Sequence, residues 1–352
     1  MEFNRCFKCM KEHTGNGACP NCGFDIKNYA SEIYQLQPGT VLTGKYLLGT
    51  VLGEGGFGIS YIGWDLNLDC KVAVKEYYPR NYVTRQATYS PTVTALTGSN
   101  TEYYRKGQEQ FVNEARRLAK FDRMSGIVYV RDFFQENGTA YMVMEFAEGK
   151  TLKERLKENG GRMDMERVLS MLEPVMESLG EVHKRGMIHR DISPDNMMVD
   201  DAGKVKLLDF GAARDYLSEK ERSLSVILKP GYTPEEQYRS RGEQGPWTDV
   251  YALCATIYRA VTGLVPLESL DRMAEDTLKK PSELGISISP VLEHALMKGL
   301  AIKGKDRYQS MEELLDAFHG KEKETAHQTN ETDSIGERKE KQEEQQQADP
   351  AD

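Results

Sequence analysis

Several things are scarce in this sequence. No apolar run approaches the ~18 residues needed to span a bilayer. The opening stretch is polar and cysteine-bearing, so no secretory leader is legible. There is no basic excess: the formal net charge is -9 over 352 residues, and residues 321–352 hold 5 basic against 10 acidic side chains. The remaining body is close to balanced, which excludes a broad nucleic-acid-binding surface. Cysteine is sparse outside one cluster: of six, only Cys70 and Cys254 lie beyond residue 22. Two isolated thiols cannot form a disulfide framework and are expected as small buried apolar groups. These absences make the cytoplasm the simplest location, and 39% hydrophobic content is enough for one large or two moderate domains.

The other four cysteines form two knuckles, Cys6–Cys9 in CFKC and Cys19–Cys22 in CPNCG. A two-residue gap lets both thiolates of a knuckle face one ion, and two knuckles make a tetrahedral sulfur cage suited to zinc. The segment resembles the zinc-ribbon family. Its core is too small to fold unaided, so the metal would supply folding energy. Two disulfides are the rival reading, disfavoured in a reducing compartment. His13 lies between the knuckles and reads as a loop residue. The expected role is a structural cap or a docking module for a protein partner; the alternative is a metal or redox sensor.

Residues 31–44 read as a linker, broken at Pro38 and Gly39. Beyond them come GEGGFG at Gly53–Gly58, VAVK at Val72–Lys75, HRDISPDN at His189–Asn196 and LLDFG at Leu207–Gly211. The glycine turn lies between two apolar strand patterns, Tyr46–Leu52 and Ile59–Trp64, rather than opening a helix, which argues against a dinucleotide site. Helical periodicity over Phe111–Phe121 and Met163–Arg185 and strand patterns at Ile127–Phe134 and Thr139–Phe146 complete the coarse outline.

Taken in this order, the motifs resemble the protein-kinase family, in particular bacterial serine/threonine kinases, over about residues 45–319. The resemblance implies an α+β, bilobal fold: a small β-rich lobe at 45–146 and a larger helical lobe at 147–319, preceded by the ribbon at 1–30 and followed by a disordered polar tail at 320–352. It implies ATP and Mg²⁺ as cofactors and protein hydroxyls as substrates, the chain itself included. Gly53, Glu54, Gly55, Gly56, Phe57 and Gly58 would cover the phosphates, with Ser60 and Ala73 toward adenine. Lys75 would grip the α- and β-phosphates, steadied by Glu114, with Glu109 as runner-up. Met144 matches the gatekeeper position, and Glu145–Ala147 the hinge whose backbone bonds adenine. Asp191 would accept the substrate proton, while Asn196 and Asp209 would hold magnesium. Asp249 would brace the catalytic loop, and Arg307 would pair with Glu236. Ser218, Ser223, Ser225 and Thr233 are candidate phosphosites on the activation segment.

The chain departs from that family pattern. Ser193 stands where serine/threonine kinases usually have the lysine that contacts the γ-phosphate, and Lys229 stands where they usually have threonine. An expectation follows: Lys229 supplies the missing cation from the other side. Ser193 also supports an alternative, a pseudokinase that binds ATP without transfer; phosphorylation of a small molecule is a third reading. The stretch 77–104, longer than the family usually has between Lys75 and its glutamate, reads as a docking or regulatory insertion.

Overall fold

The structure, a computed structural model, describes residues 4–13, 17–56, 58–98, 100–121, 124–209, 228–239 and 242–321. The small lobe holds β1 (Val41–Leu42), β2 (Tyr46–Gly55), β3 (Gly58–Asp65), β4 (Cys70–Tyr77), a small hairpin of β5 (Val83–Thr84) and β6 (Thr94–Ala95), helix α1 (Asn100–Leu118), β7 (Val130–Glu136) and β8 (Thr139–Glu145). Six of the strands make one antiparallel sheet in the order β1-β2-β3-β4-β8-β7. Along β4 the burial alternates: Val72, Val74 and Glu76 are buried, while Ala73 and Lys75 are half-buried. That period of two sets Lys75 and Glu76 on opposite faces of the sheet.

The large lobe follows with β9 (Lys150–Thr151), α2 (Leu152–Glu158), α3 (Met165–Lys184), β10 (Met197–Val199), β11 (Val205–Leu207), α4 (Pro246–Thr262), α5 (Ser269–Ala274), α6 (Pro290–Gly299) and α7 (Met311–Phe318). A capping box of Thr151 and Glu154 opens α2. Helix α3 buries Val168, Leu172, Val175, Leu179 and Val182, a spacing of three and four residues that lines one face. Helix α4 is apolar nearly all round and correspondingly buried; Pro246 starts it, and Gly263 stops it in the left-handed conformation at φ 81°.

Three expectations change. Helix α1 begins at Asn100, eleven residues before the expected Phe111, so the end of the 77–104 stretch is helical and its middle is a hairpin. The 31–44 linker is not a loose tether: Leu36 and Leu42 are buried and Val41–Leu42 joins the sheet. Cys254 is buried as expected, but Cys70 is only half-buried, and its sulfur accepts from Arg131 Nη1 at 3.0 Å.

The cysteine segment is seated on β2 and β3. Thr50 N–H donates to Phe7 O at 2.8 Å, and Val51 N–H to the Tyr29 hydroxyl at 3.2 Å. The Arg5 guanidinium lies 3.6 Å over the Trp64 ring and pairs with Asp69 at 2.9 Å, while Met10 is fully buried.

Candidate active site

The catalytic-loop residues are held from beneath by a buried carboxylate. Asp249, near the start of α4, accepts from His189 N–H at 2.7 Å and Arg190 N–H at 2.8 Å, and pairs with His183 Nε2 at 2.8 Å. Burial alone would raise the Asp249 pKa, but His183 and the other donors outweigh it and hold it below the usual carboxylate range. His189, also buried, is kept neutral by desolvation, its Nε2 against Leu208 O at 2.8 Å. Arg190 (φ 67°) and Asp209 (φ 45°) both occupy the left-handed region, which costs roughly 1–3 kcal/mol at a non-glycine residue. Strained backbone therefore flanks the groups that the sequence places at the chemistry.

Those groups converge on one cleft between the lobes. Asn196 Nδ2 donates to Asp191 Oδ2 and to Asp191 O, both at 2.8 Å, so the Asn196 side-chain oxygen is not used in these bonds. Lys75 Nζ pairs with Asp209 Oδ1 at 3.1 Å. Burial draws the Lys75 pKa down, but Asp209 and then Glu114 more than compensate, so the ammonium stays charged. Glu114 and Asp209 thus both stabilise the charged form of Lys75. Lys229 Nζ reaches Asp191 Oδ1 at 3.2 Å and Ser193 Oγ at 2.8 Å.

The glycine-rich turn joins β2 to β3. A side chain at Gly58 would run into the Glu76 carbonyl, so the fold itself requires that glycine. A Cβ at Gly53 or Gly55 would meet nothing within 4 Å. The protein's own packing does not demand glycine there, whereas close approach of a phosphate to the backbone would. Gly56 is exposed, and Phe57 lies outside the described residues. Ser60 faces Lys75 across the ladder, and Ala73 faces Met144, placing Ser60, Ala73 and the buried Met144 around one end of the cleft.

Two residues with expected nucleotide contacts have partners within the protein. The Glu54 carboxylate is held by Tyr34, Gln35 and Arg80, on the linker and the insertion. The Glu145 N–H donates to Tyr129 O at 3.1 Å, and its carboxylate is held by Lys206; Ala147, two residues on, is half-buried. Thr233 is no exposed phosphosite: it is buried and its Oγ1 accepts from Lys229 N–H at 3.1 Å. Ser218, Ser223 and Ser225 lie outside the described residues. Glu236 and Arg307 form a buried bidentate pair at 2.8 and 3.2 Å, as the family resemblance implies, and Thr248 Oγ1 donates to Glu236 at 3.0 Å. Sequence reasoning missed His183 as an Asp249 partner, and it missed the ties on Glu54.

The family model for the protein kinase domain matches residues 46–317. The chain belongs to the protein kinase family. Serine/threonine-protein kinase PknL of Mycobacterium bovis is 33% identical over 231 residues, covering 64% of this chain and 51% of that protein. PrkC of Bacillus subtilis is 28% identical over 284 residues, covering 78% and 40%. This kinase thus spans about half the length, or less, of those relatives. Among solved structures, the apo form of PpkA-294 superposes with a TM-score of 0.71 at 34% identity, covering 81% of this chain and 99% of that one. The kinase domain of PknI from Mycobacterium tuberculosis, at 20% identity and TM-score 0.57, shares the fold.

The four knuckle sulfurs, Cys6, Cys9, Cys19 and Cys22, lie within 4.8 Å of one another. Cys6 and Cys22 are 3.6 Å apart and Cys9 and Cys19 3.8 Å. A tetrahedral ion with Zn–S bonds of ~2.3 Å requires sulfurs about 3.8 Å apart, so the set fits zinc. Burial opposes ionisation of Cys19, but the backbone N–H groups of Asn21 and Cys22 outweigh it and draw the thiol down to about 6. His13 Nε2 lies 3.3 Å from Gly17 O, as a loop residue would.

Proposed function

We propose that this chain is an ATP-dependent serine/threonine protein kinase that transfers the γ-phosphoryl group of Mg-ATP to protein hydroxyls, its own included. The observation that carries the reading is the gathering of two pairs, Asp191 with Asn196 and Lys75 with Asp209, near enough that the Asp191 charge acts on Lys75. In this reading Lys75 binds the α- and β-phosphates, Asp191 takes the hydroxyl proton of the substrate, and the glycine turn covers the phosphates. Asn196 and Asp209 would hold Mg²⁺, which neutralises phosphate charge when bound. Catalysis is positioning and electrostatics rather than covalent chemistry.

The test is incubation with Mg²⁺ and γ-labelled ATP beside Asp191→Asn. Label on serine or threonine in the wild type, reduced about 10²–10⁴-fold in the variant, is expected. Nucleotide binding with no label in either protein would favour the pseudokinase, for which Ser193 is the motivating residue. Small-molecule phosphorylation has no observation in its favour here. Among the described residues no helix is long and apolar enough to cross a membrane.

For the ribbon we infer structural zinc. Its packing through Phe7, Met10 and Tyr29 on β2 and β3 supports a small-lobe cap over a free sensor. The purified chain should carry about one zinc per molecule by elemental analysis. Strong chelation should lower Tm by several degrees, and added zinc should restore it. An unchanged Tm after verified metal loss would remove the structural role.

A further inference from the structure

We propose that Lys229 supplies the cation for the γ-phosphate that this chain lacks at position 193, so that the usual lysine has moved from the catalytic loop to the far end of the activation segment. The proposal rests on the kinase reading above. Ser193 is fully buried and its hydroxyl is too short to reach past the loop. It accepts from Lys229 Nζ at 2.8 Å, and the same ammonium lies 3.2 Å from Asp191 Oδ1. The cation thus stands beside the base, with Ser193 bonding its head.

An ammonium has three N–H donors. Ser193 and Asp191 take two, and the third is available to a phosphoryl oxygen on the cleft side. In the transfer step the substrate hydroxyl oxygen forms a bond to the γ-phosphorus. The bond from that phosphorus to the β,γ-bridging oxygen breaks, ADP departs with its electron pair, and the hydroxyl proton passes to Asp191. Charge on the three equatorial oxygens of the transferring group must be met by fixed cations. Lys229 meets it from beside Asp191. A lysine at 193 together with Lys229 would crowd two ammonium groups into the place of one, so Ser193 and Lys229 make sense as a pair of exchanged residues.

The backbone around Lys229 is anchored without its side chain. Lys229 N–H donates to Thr233 Oγ1 at 3.1 Å, and Lys229 O accepts from Tyr232 N–H at 3.0 Å and Thr233 N–H at 3.1 Å. Gly231, at φ 82°, turns the chain where a side chain would collide with the Pro266 carbonyl. Truncating Lys229 should therefore leave the fold intact and remove the charge together with its bonds to Ser193 and Asp191.

The experiment compares wild type, Asp191→Asn, Lys229→Ala and the exchange double variant Ser193→Lys/Lys229→Thr, measuring kcat, the KM for ATP, ADP affinity and Tm. Lys229→Ala should lose about 10²–10³-fold in kcat, with KM for ATP and ADP affinity within about threefold and Tm unchanged. The exchange variant should recover at least about tenfold over Lys229→Ala. ADP affinity and Tm report folding: Lys229 Nζ bonds Ser193 and Asp191 and takes no part in holding ADP in this proposal, so a folded variant keeps its ADP affinity. Full activity in Lys229→Ala, with Asp191→Asn inactive, would overturn the proposal and leave the kinase reading standing. No recovery in a folded, ADP-binding exchange variant would also overturn it. A wild type that transfers no phosphate would end both.

Discussion

Asp249→Ala is expected to cost more than any other single change away from the nucleotide contacts. The variant should lose about 10²-fold or more in transfer and at least ~3 kcal/mol of stability. The carboxylate is inaccessible and serves three donors at once: His189 N–H, Arg190 N–H and His183 Nε2. Alanine leaves all three without their acceptor, and each buried unsatisfied group costs about 1–3 kcal/mol. The catalytic penalty has a separate origin. Arg190 keeps φ 67° because Asp249 and Gln237, whose Nε2 donates to Arg190 O at 3.1 Å, hold both sides of its peptide frame. Without that clamp the residue relaxes toward ordinary backbone and moves Asp191, its neighbour, away from the substrate hydroxyl. A misplacement of ~1 Å is worth about 10²-fold in rate. Asp249→Asn keeps the shape and one acceptor, so it should fall between wild type and alanine on both scales. Urea unfolding and single-turnover transfer, run on the same preparations, check this. Wild-type kcat in a folded Asp249→Ala would show that the catalytic loop holds itself.

How much of this was legible beforehand varies with the kind of signal. Lys75, Asp191, Asn196 and Asp209 sit in short motifs whose residue types are set by chemistry, and the family resemblance those motifs carry located them. The same resemblance located the Glu236–Arg307 pair, while the CxxC spacing located the four cysteines. The ties on Glu54 are not legible because a glycine-rich loop points to its backbone, whereas the side chain answers to Tyr34, Gln35 and Arg80, which no local pattern links to it. Thr233 differs from its expected exposure because a linear motif cannot say which hydroxyls tertiary neighbours engage. Helix α1 was begun too late because its first turns, Asn100–Gly107, are largely polar; Tyr104 and Gly107 are buried there only through packing on Tyr77 and its neighbours. The 77–104 stretch carried composition but no periodicity, and its role became visible only through one residue, Arg85.

Arg85→Met should destabilise the chain by about 3–5 kcal/mol, and Glu76→Met/Arg85→Met by clearly less. Both side chains are wholly inaccessible. The Arg85 guanidinium bonds both Glu76 oxygens, with Nη2 to Oε2 at 2.8 Å, while Nε donates to Tyr34 O at 2.7 Å. Tyr61 and Tyr141 donate to the same carboxylate at 3.1 and 2.9 Å. Burial, reinforced by Glu76, pushes both phenols well above their usual range, so they stay protonated donors. Removing Arg85 leaves a buried carboxylate with two neutral partners, the situation that costs most; replacing both charges with apolar groups avoids it. The loss should reach the nucleotide site as well. Glu76 follows Lys75 on β4, and Arg85 ties the insertion to Tyr34, whose hydroxyl bonds Glu54 in the glycine-rich turn at 3.2 Å. The KM for ATP should therefore rise in Arg85→Met more than in the double variant, measured well below the unfolding midpoint of each. A single variant within about 1 kcal/mol of wild type in urea would mean that the insertion packs on the lobe without this pair. A double variant as unstable as the single would place the energy in shape rather than in charge.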